Sequence, residues 1–183
     1  MDECYRISNI DQVDSPALVI YPERVKQNIA FLISMIDDAK RLRPHVKTHK
    51  TKEVIFLQMA GGINKFKCST IAEAEMLANC KGPDVLLAYQ PVGPKIQRLI
   101  LLIKNYPETI FSCLVDNITT AKEISKLGSE ANLVIPVYID LNIGMNRTGI
   151  IPDQRAFDLY RQISQEKNIK PVGLHAYDGH IYD

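Results

Sequence analysis

The chain has 183 residues, 46% of them hydrophobic, which is enough for one domain with a sizeable core and too much for a disordered protein. Twenty-two basic against twenty-one acidic residues leave a formal charge of +1. That balance argues against a nucleic acid or membrane partner and leaves room for a small anionic ligand.

Residues 1–20 lack the basic start and apolar centre of a secretory signal, and the longest apolar runs, such as 133–139, are strand-sized. A soluble cytoplasmic protein is expected. Cys4, Cys68, Cys80 and Cys113 show no Cys-x-x-Cys spacing and are expected to be reduced, buried fillers. Periodicity predicts a first helix over about 22–37, then a strand over 43–47, where Pro44 fixes its own φ and biases Arg43 toward β. Helix, strand and helix follow at about 50–60, 65–68 and 70–80, with Ser69 or Thr70 as the cap. Strands at 85–88 and 111–115 flank a helix at 93–104. A helix at 117–127, capped by Asp116 and ended by Gly128, leads to a strand at 134–141, a helix at 153–166 capped by Asp153, and a last strand at 172–177.

Alternation of this kind predicts a parallel sheet with right-handed crossovers. A doubly wound sheet usually carries Gly-x-Gly-x-x-Gly after its first strand; none occurs, and Gly61-Gly62 follows a helix. A TIM (β/α)8-type barrel fits better, with about six of its eight βα units present. The chain stops directly after the sixth strand, whose open edge would invite pairing. The expectation is an amino-terminal piece of a longer polypeptide, or a chain completed by oligomerising.

Chemistry in such a barrel gathers at the carboxyl ends of the strands. Lys47 ends the first, and a lysine there can form a Schiff base if its amine is desolvated or crowded by cations; Arg43, His45, His49 and Lys50 are the expected crowding groups. The alternative is a solvated basic loop. Cys68, Ser69 and Thr70 end the second strand, and Ala88, Tyr89 and Gln90 the third. Arg147 lies between Gly144 and Gly149, which permit close backbone approach or positive φ, although a surface arginine in a turn has the same pattern. His175 and Tyr177, two apart on a strand, share a face, as a packed core pair would also do. His45 and His49 could chelate zinc only from a shared helix face, and Pro44 counts against that.

Three segments, Arg43-Pro44-His45-Val46-Lys47-Thr48-His49-Lys50, Gly144-Met145-Asn146-Arg147-Thr148-Gly149 and Gly173-Leu174-His175-Ala176-Tyr177-Asp178-Gly179-His180, resemble the D-threonine aldolase and D-serine dehydratase group. These are pyridoxal phosphate enzymes of the alanine racemase fold type, and the resemblance begins at Asp14-Ser15-Pro16-Ala17. It implies that residues 1–183 are an incomplete alanine-racemase-like (β/α) barrel, without the remaining barrel units and the carboxyl-terminal β domain. It implies a cytoplasmic lyase acting on β-hydroxy D-amino acids, as an aldolase or ammonia-lyase, and a homodimer. By the same resemblance Lys47 forms the Schiff base with pyridoxal 5'-phosphate, Arg147 reaches the cofactor's phenolic oxygen, Tyr177 lies against the pyridine and His45 stands beside them. A divalent metal, zinc or manganese, and much of the phosphate site would come from parts of the full-length family protein absent here. A non-catalytic pyridoxal phosphate carrier and an amino acid racemase are the alternatives.

Overall fold

The computed structural model describes residues 5–182. Among these residues, two α-helices are followed by alternating strands and helices, six α-helices and five strands in all: α1 (Pro22–Ser34), α2 (Lys52–Ala60), β1 (Lys65–Cys68), α3 (Ile71–Asn79), β2 (Asp84–Leu87), α4 (Pro94–Asn105), β3 (Ile110–Val115), α5 (Ile118–Glu130), β4 (Ile135–Leu141), α6 (Gln154–Gln165) and β5 (Ile169–Ala176). All five strands are parallel and their order in the sheet is their order in the chain. Each strand therefore pairs with the next across an intervening helix, the winding of a partial (β/α) barrel; a doubly wound sheet would reverse direction at a switch point.

The expected strand at 43–47 is absent, so the barrel begins with five strands where six are predicted. His45 makes a single parallel bridge to Lys67, closed by the Lys67 N–H donating to the Pro44 carbonyl at 2.9 Å. The chain then turns into a short 3-10 helix, Val46–Thr48, because the His45 Nδ1 accepts from the Lys47 N–H and the fully buried Val46 draws the turn inward. Proline correctly excluded an α-helix, but a side-chain cap offered the next backbone N–H a nearer partner than a strand ladder.

Local caps behave as the residue types dictate. Thr70 accepts from the Glu73 N–H while Glu73 reaches back to the Ser69 N–H, a capping-box arrangement at the start of α3. Asp153 caps α6. At α5 the cap is Asn117, whose side chain accepts from the Thr120 N–H, and not Asp116. Gly128 does not end α5 but lies inside it: a side chain there would press on the Asn168 and Leu133 carbonyls at 3.1 and 3.3 Å, so glycine serves helix-to-strand packing.

Alternation along the strands divides the molecule into two layers. Phe66, Cys68, Val85, Leu87, Phe111, Cys113, Val115, Val137 and Ile139 face the helices and form the main core with Leu77, Leu99 and Ile124, all 3% exposed or less. Each such side chain contributes roughly 1.5–3 kcal/mol on burial. Cys68, Cys80 and Cys113 are buried free thiols, and Cys4 lies outside the described residues. The alternate residues, including Lys67, Asp84, Tyr138, Asp140, Gly173 and His175, point to the concave side. Gly173 is required there, because a Cβ would lie 2.8 Å from the Tyr138 ring.

Among the described residues, no helix is long and apolar enough to cross a membrane.

Candidate active site

The concave side is layered from the amino ends of the strands to their carboxyl ends. At the lower end Arg43 forms a two-pronged ion pair with Asp84, the first residue of β2, at 2.7 and 2.9 Å, and its guanidinium lies 5.8 Å from the Tyr138 ring centre. Arg43 is thus a structural plug and does not crowd Lys47. Lys50 is likewise committed, to Glu73 at 3.2 Å, and His49 accepts from the Thr51 N–H. Of the four expected crowding groups, only His45 borders the pocket that contains Lys47.

That pocket, of about 410 Å³, opens at the carboxyl ends of the strands. His45 and Lys47 enter it from the 3-10 turn, Lys67 from β1, Asp140 from β4, and His175 and Tyr177 from the end of β5. Arg147 reaches it from the loop after β4, with Ser69, Tyr89, Gln90 and Asp116 from the shorter loops. All four residues singled out in the sequence, His45, Lys47, Arg147 and Tyr177, therefore share one cavity.

Each is held by local chemistry. His45 uses Nδ1 to accept from the Lys47 N–H, so its other nitrogen, Nε2, carries the proton and donates to Ser69 Oγ at 3.1 Å. Burial, then the nearby Lys47 and Lys67 charges, lower its pKa to about 4, so the ring is neutral near pH 7. The Arg147 loop is built on Asn142, whose Oδ1 accepts from the N–H groups of Gly144 and Asn146, both at 3.1 Å. Gly149, at φ +96°, donates to Asp116 Oδ2 at 3.2 Å and could not carry a Cβ, which would sit 2.6 Å from the Asn142 nitrogen. The loop delivers the Arg147 guanidinium 4.8 Å from the Tyr177 ring centre. Gly179 lets the Tyr177 ring lie across the following backbone, and a side chain at Gly144 would run into His180.

The residue overlooked in the sequence is Lys67. Its Nζ lies 2.7 Å from His175 Nε2, and His175 Nδ1 lies 2.6 Å from Asp140 Oδ1. The signal was the pattern Lys65-Phe66-Lys67-Cys68: with Phe66 and Cys68 committed to the core, Lys67 must face the barrel interior. Its pKa is lowered by burial and by Lys47, while Asp140 opposes the shift. Among the described residues, Lys47, Lys67 and Arg147 make no ion pair with a carboxylate within 4.0 Å. The cavity therefore presents three cations to an anionic guest, next to an aromatic ring.

Comparison with known proteins gives the same segments a wider setting. The family model "Alanine racemase, N-terminal domain" matches residues 20–182. The chain is 28% identical to D-threonine aldolase from Arthrobacter sp. over 171 residues, which is 93% of this chain and 45% of that protein. It is 30% identical to D-threo-3-hydroxyaspartate dehydratase from Delftia sp. over 142 residues, covering 77% of this chain and 37% of the relative. Among solved structures, D-threonine aldolase from Filomicrobium marinum superposes with a TM-score of 0.83 at 31% identity, over 92% of this chain and 45% of that one. The chain spans less than half the length of these relatives.

Proposed function

The chain belongs to the alanine racemase N-terminal domain family, and from that premise we propose that its pocket is the pyridoxal phosphate end of a lyase acting on β-hydroxy D-amino acids, of the D-threonine aldolase or D-serine dehydratase type. The observation that carries the reading is the meeting of Lys47, Arg147, Tyr177 and His45 in one cavity, although they lie up to 132 positions apart in the chain (177 − 45).

The residues fit the group chemically. A cavity of about 410 Å³ is within the range of small-molecule sites. It offers the Lys47 amine, two further cations without a carboxylate partner within 4.0 Å among the described residues, Lys67 and Arg147, and the rings of Tyr177 and Tyr89, which suits a flat, anionic aldehyde. Lys47 would attach the cofactor through its amine, Arg147 would donate to an anionic oxygen, and Tyr177 would supply the ring face. When bound, pyridoxal phosphate supplies an electron sink for bond cleavage at the amino acid's α-carbon. This chain's own residues hold and orient. His45 is neutral near pH 7, so it adds no charge beside Lys47, and its Nδ1 fixes the turn that aims the lysine. The Lys47 amine would also be the group placed to hold or move a proton beside the bound amino acid.

The test is cofactor capture. Pyridoxal phosphate added to the protein should produce a visible absorption band, and borohydride followed by peptide mapping should fix it on Lys47. Lys47→Ala should lose the band. An adduct mapped elsewhere, or a band unchanged in Lys47→Ala, would overturn the assignment. Capture without turnover of any β-hydroxy D-amino acid would make the protein a carrier.

A further inference from the structure

We propose that Glu73, which lies outside the pocket, is a positioning residue for Lys47: its buried carboxylate clamps both sides of the 3-10 turn that carries the lysine. The inference rests on the reading of Lys47 as the residue that attaches the cofactor.

Glu73 is the third residue of α3 and is 6% exposed. Its Oε2 accepts from the Ser69 N–H at 2.7 Å, which completes the capping box. A capping box asks only one acceptor atom of this position, and glutamine serves it as well as glutamate. Yet the second oxygen, Oε1, is also buried and has no hydrogen bond among the described residues. What it meets is the Lys50 ammonium, 3.2 Å away. A carboxylate taken out of water needs such a countercharge.

Lys50 in turn closes the Lys47 turn. Its N–H donates to the Val46 carbonyl at 2.9 Å, and its φ of +50° lies in the left-handed region that residues with side chains rarely adopt. Backbone in that region persists where surrounding contacts hold it, and here the contact is the ion pair to Glu73. The Lys50 side chain is 63% exposed, so the pair adds little to global stability. Its effect is local: it fixes the chain three residues after Lys47.

The other side of the turn reaches the same carboxylate. The Lys47 N–H donates to His45 Nδ1 at 3.2 Å, His45 Nε2 donates to Ser69 Oγ at 3.1 Å, and the Ser69 N–H donates to Glu73. Lys47, His45 and Ser69 line the cavity, and Glu73 stands behind them. Lys47 is thus held before and after by links that converge on one group. Attack on an aldehyde carbon requires the amine at a defined distance and angle, and a misplacement of about 1 Å can cost on the order of 10²-fold. Releasing one of two clamps should cost less, about 10-fold.

Two measurements test this, and neither alters a residue that lines the pocket. The first follows amide hydrogen exchange by NMR in cofactor-free wild type, Glu73→Gln and Lys50→Met. Glu73→Gln keeps the cap acceptor and removes the charge. Lys50→Met removes the same ion pair from its exposed end, so the test stands even if the buried substitution fails to fold. In both variants protection at positions 47 and 50 should fall by about 10-fold, while the Leu77 and Ala78 amides of α3 keep theirs. Unchanged protection at 47 and 50, or an equal loss throughout α3, would overturn the proposal.

In the second, pyridoxal phosphate is added, samples are quenched with borohydride at intervals, and the adduct on Lys47 is quantified by peptide mapping. Capture should be about 10-fold slower in Glu73→Gln and Lys50→Met and should return to the wild-type rate in Lys50→Arg, which keeps the charge. Wild-type rates in the first two variants, or Lys50→Arg as slow as Lys50→Met, would overturn this proposal alone. Wild-type protein that forms no adduct on Lys47 would overturn the cofactor reading and this proposal with it.

Discussion

Replacing Arg43 with methionine separates the structural account of this residue from the one its sequence position suggests. The Arg43 and Asp84 side chains are 18% and 26% exposed and share two bonds of 2.7 and 2.9 Å, with a third, longer one from Arg43 to the Phe66 carbonyl at 3.3 Å. A hydrogen bond to a charged partner contributes about 1.5–3 kcal/mol, and partial exposure holds the whole pair near the lower end, so Arg43→Met should cost about 2–3 kcal/mol. Most of that is the penalty of leaving Asp84 unpaired. Arg43→Met with Asp84→Leu should therefore cost less than the sum of the two single changes. Urea unfolding followed by far-UV circular dichroism reads both quantities. A loss below about 0.5 kcal/mol, the scale of an ordinary surface substitution, would refute the plug.

The pH dependence of folding should show the neutral histidine. Burial, then the neighbouring lysines, lowers the folded His45 to about 4, below the ordinary histidine value of about 6.5, so the unfolded chain binds the proton first, and stability should fall as pH drops from about 6.5 toward 4 and stay level above 6.5. His49, also lowered by burial, acts in the same direction, so His45→Gln should flatten that slope only in part. Gly173→Ala should destabilise by about 1–3 kcal/mol through its clash with the Tyr138 ring, and Tyr138→Leu should recover part of the loss; a neutral Gly173→Ala would refute the close approach. Burial pushes the Cys68 and Cys113 thiols up to about 12, so iodoacetamide at pH 8 should leave both unlabelled until the protein unfolds, as peptide mass mapping would report.

Much of this molecule was legible before folding because its signals are local. The caps at Thr70 and Asp153, the period of α4 and the glycines around Arg147 each act within a few residues. The strand-to-helix alternation indicated a parallel sheet, the missing Gly-x-Gly-x-x-Gly turn favoured a barrel, and the three motifs picked out Lys47, Arg147, Tyr177 and His45. What the chain alone could not decide was how groups far apart would divide their interactions. Arg43 stands four residues from Lys47, yet it pairs with Asp84 at the opposite end of the barrel, because an unpaired carboxylate there would be costly. The segment after Pro44 reads as a strand until the His45 side chain caps its own turn. Lys67 sits in a four-residue strand with no motif around it, and its partner His175 lies 108 positions away. Sequence determined which residues could do chemistry; only the curvature of the sheet, which brings β1 opposite β5, decided that Lys67 would meet His175 inside the same pocket.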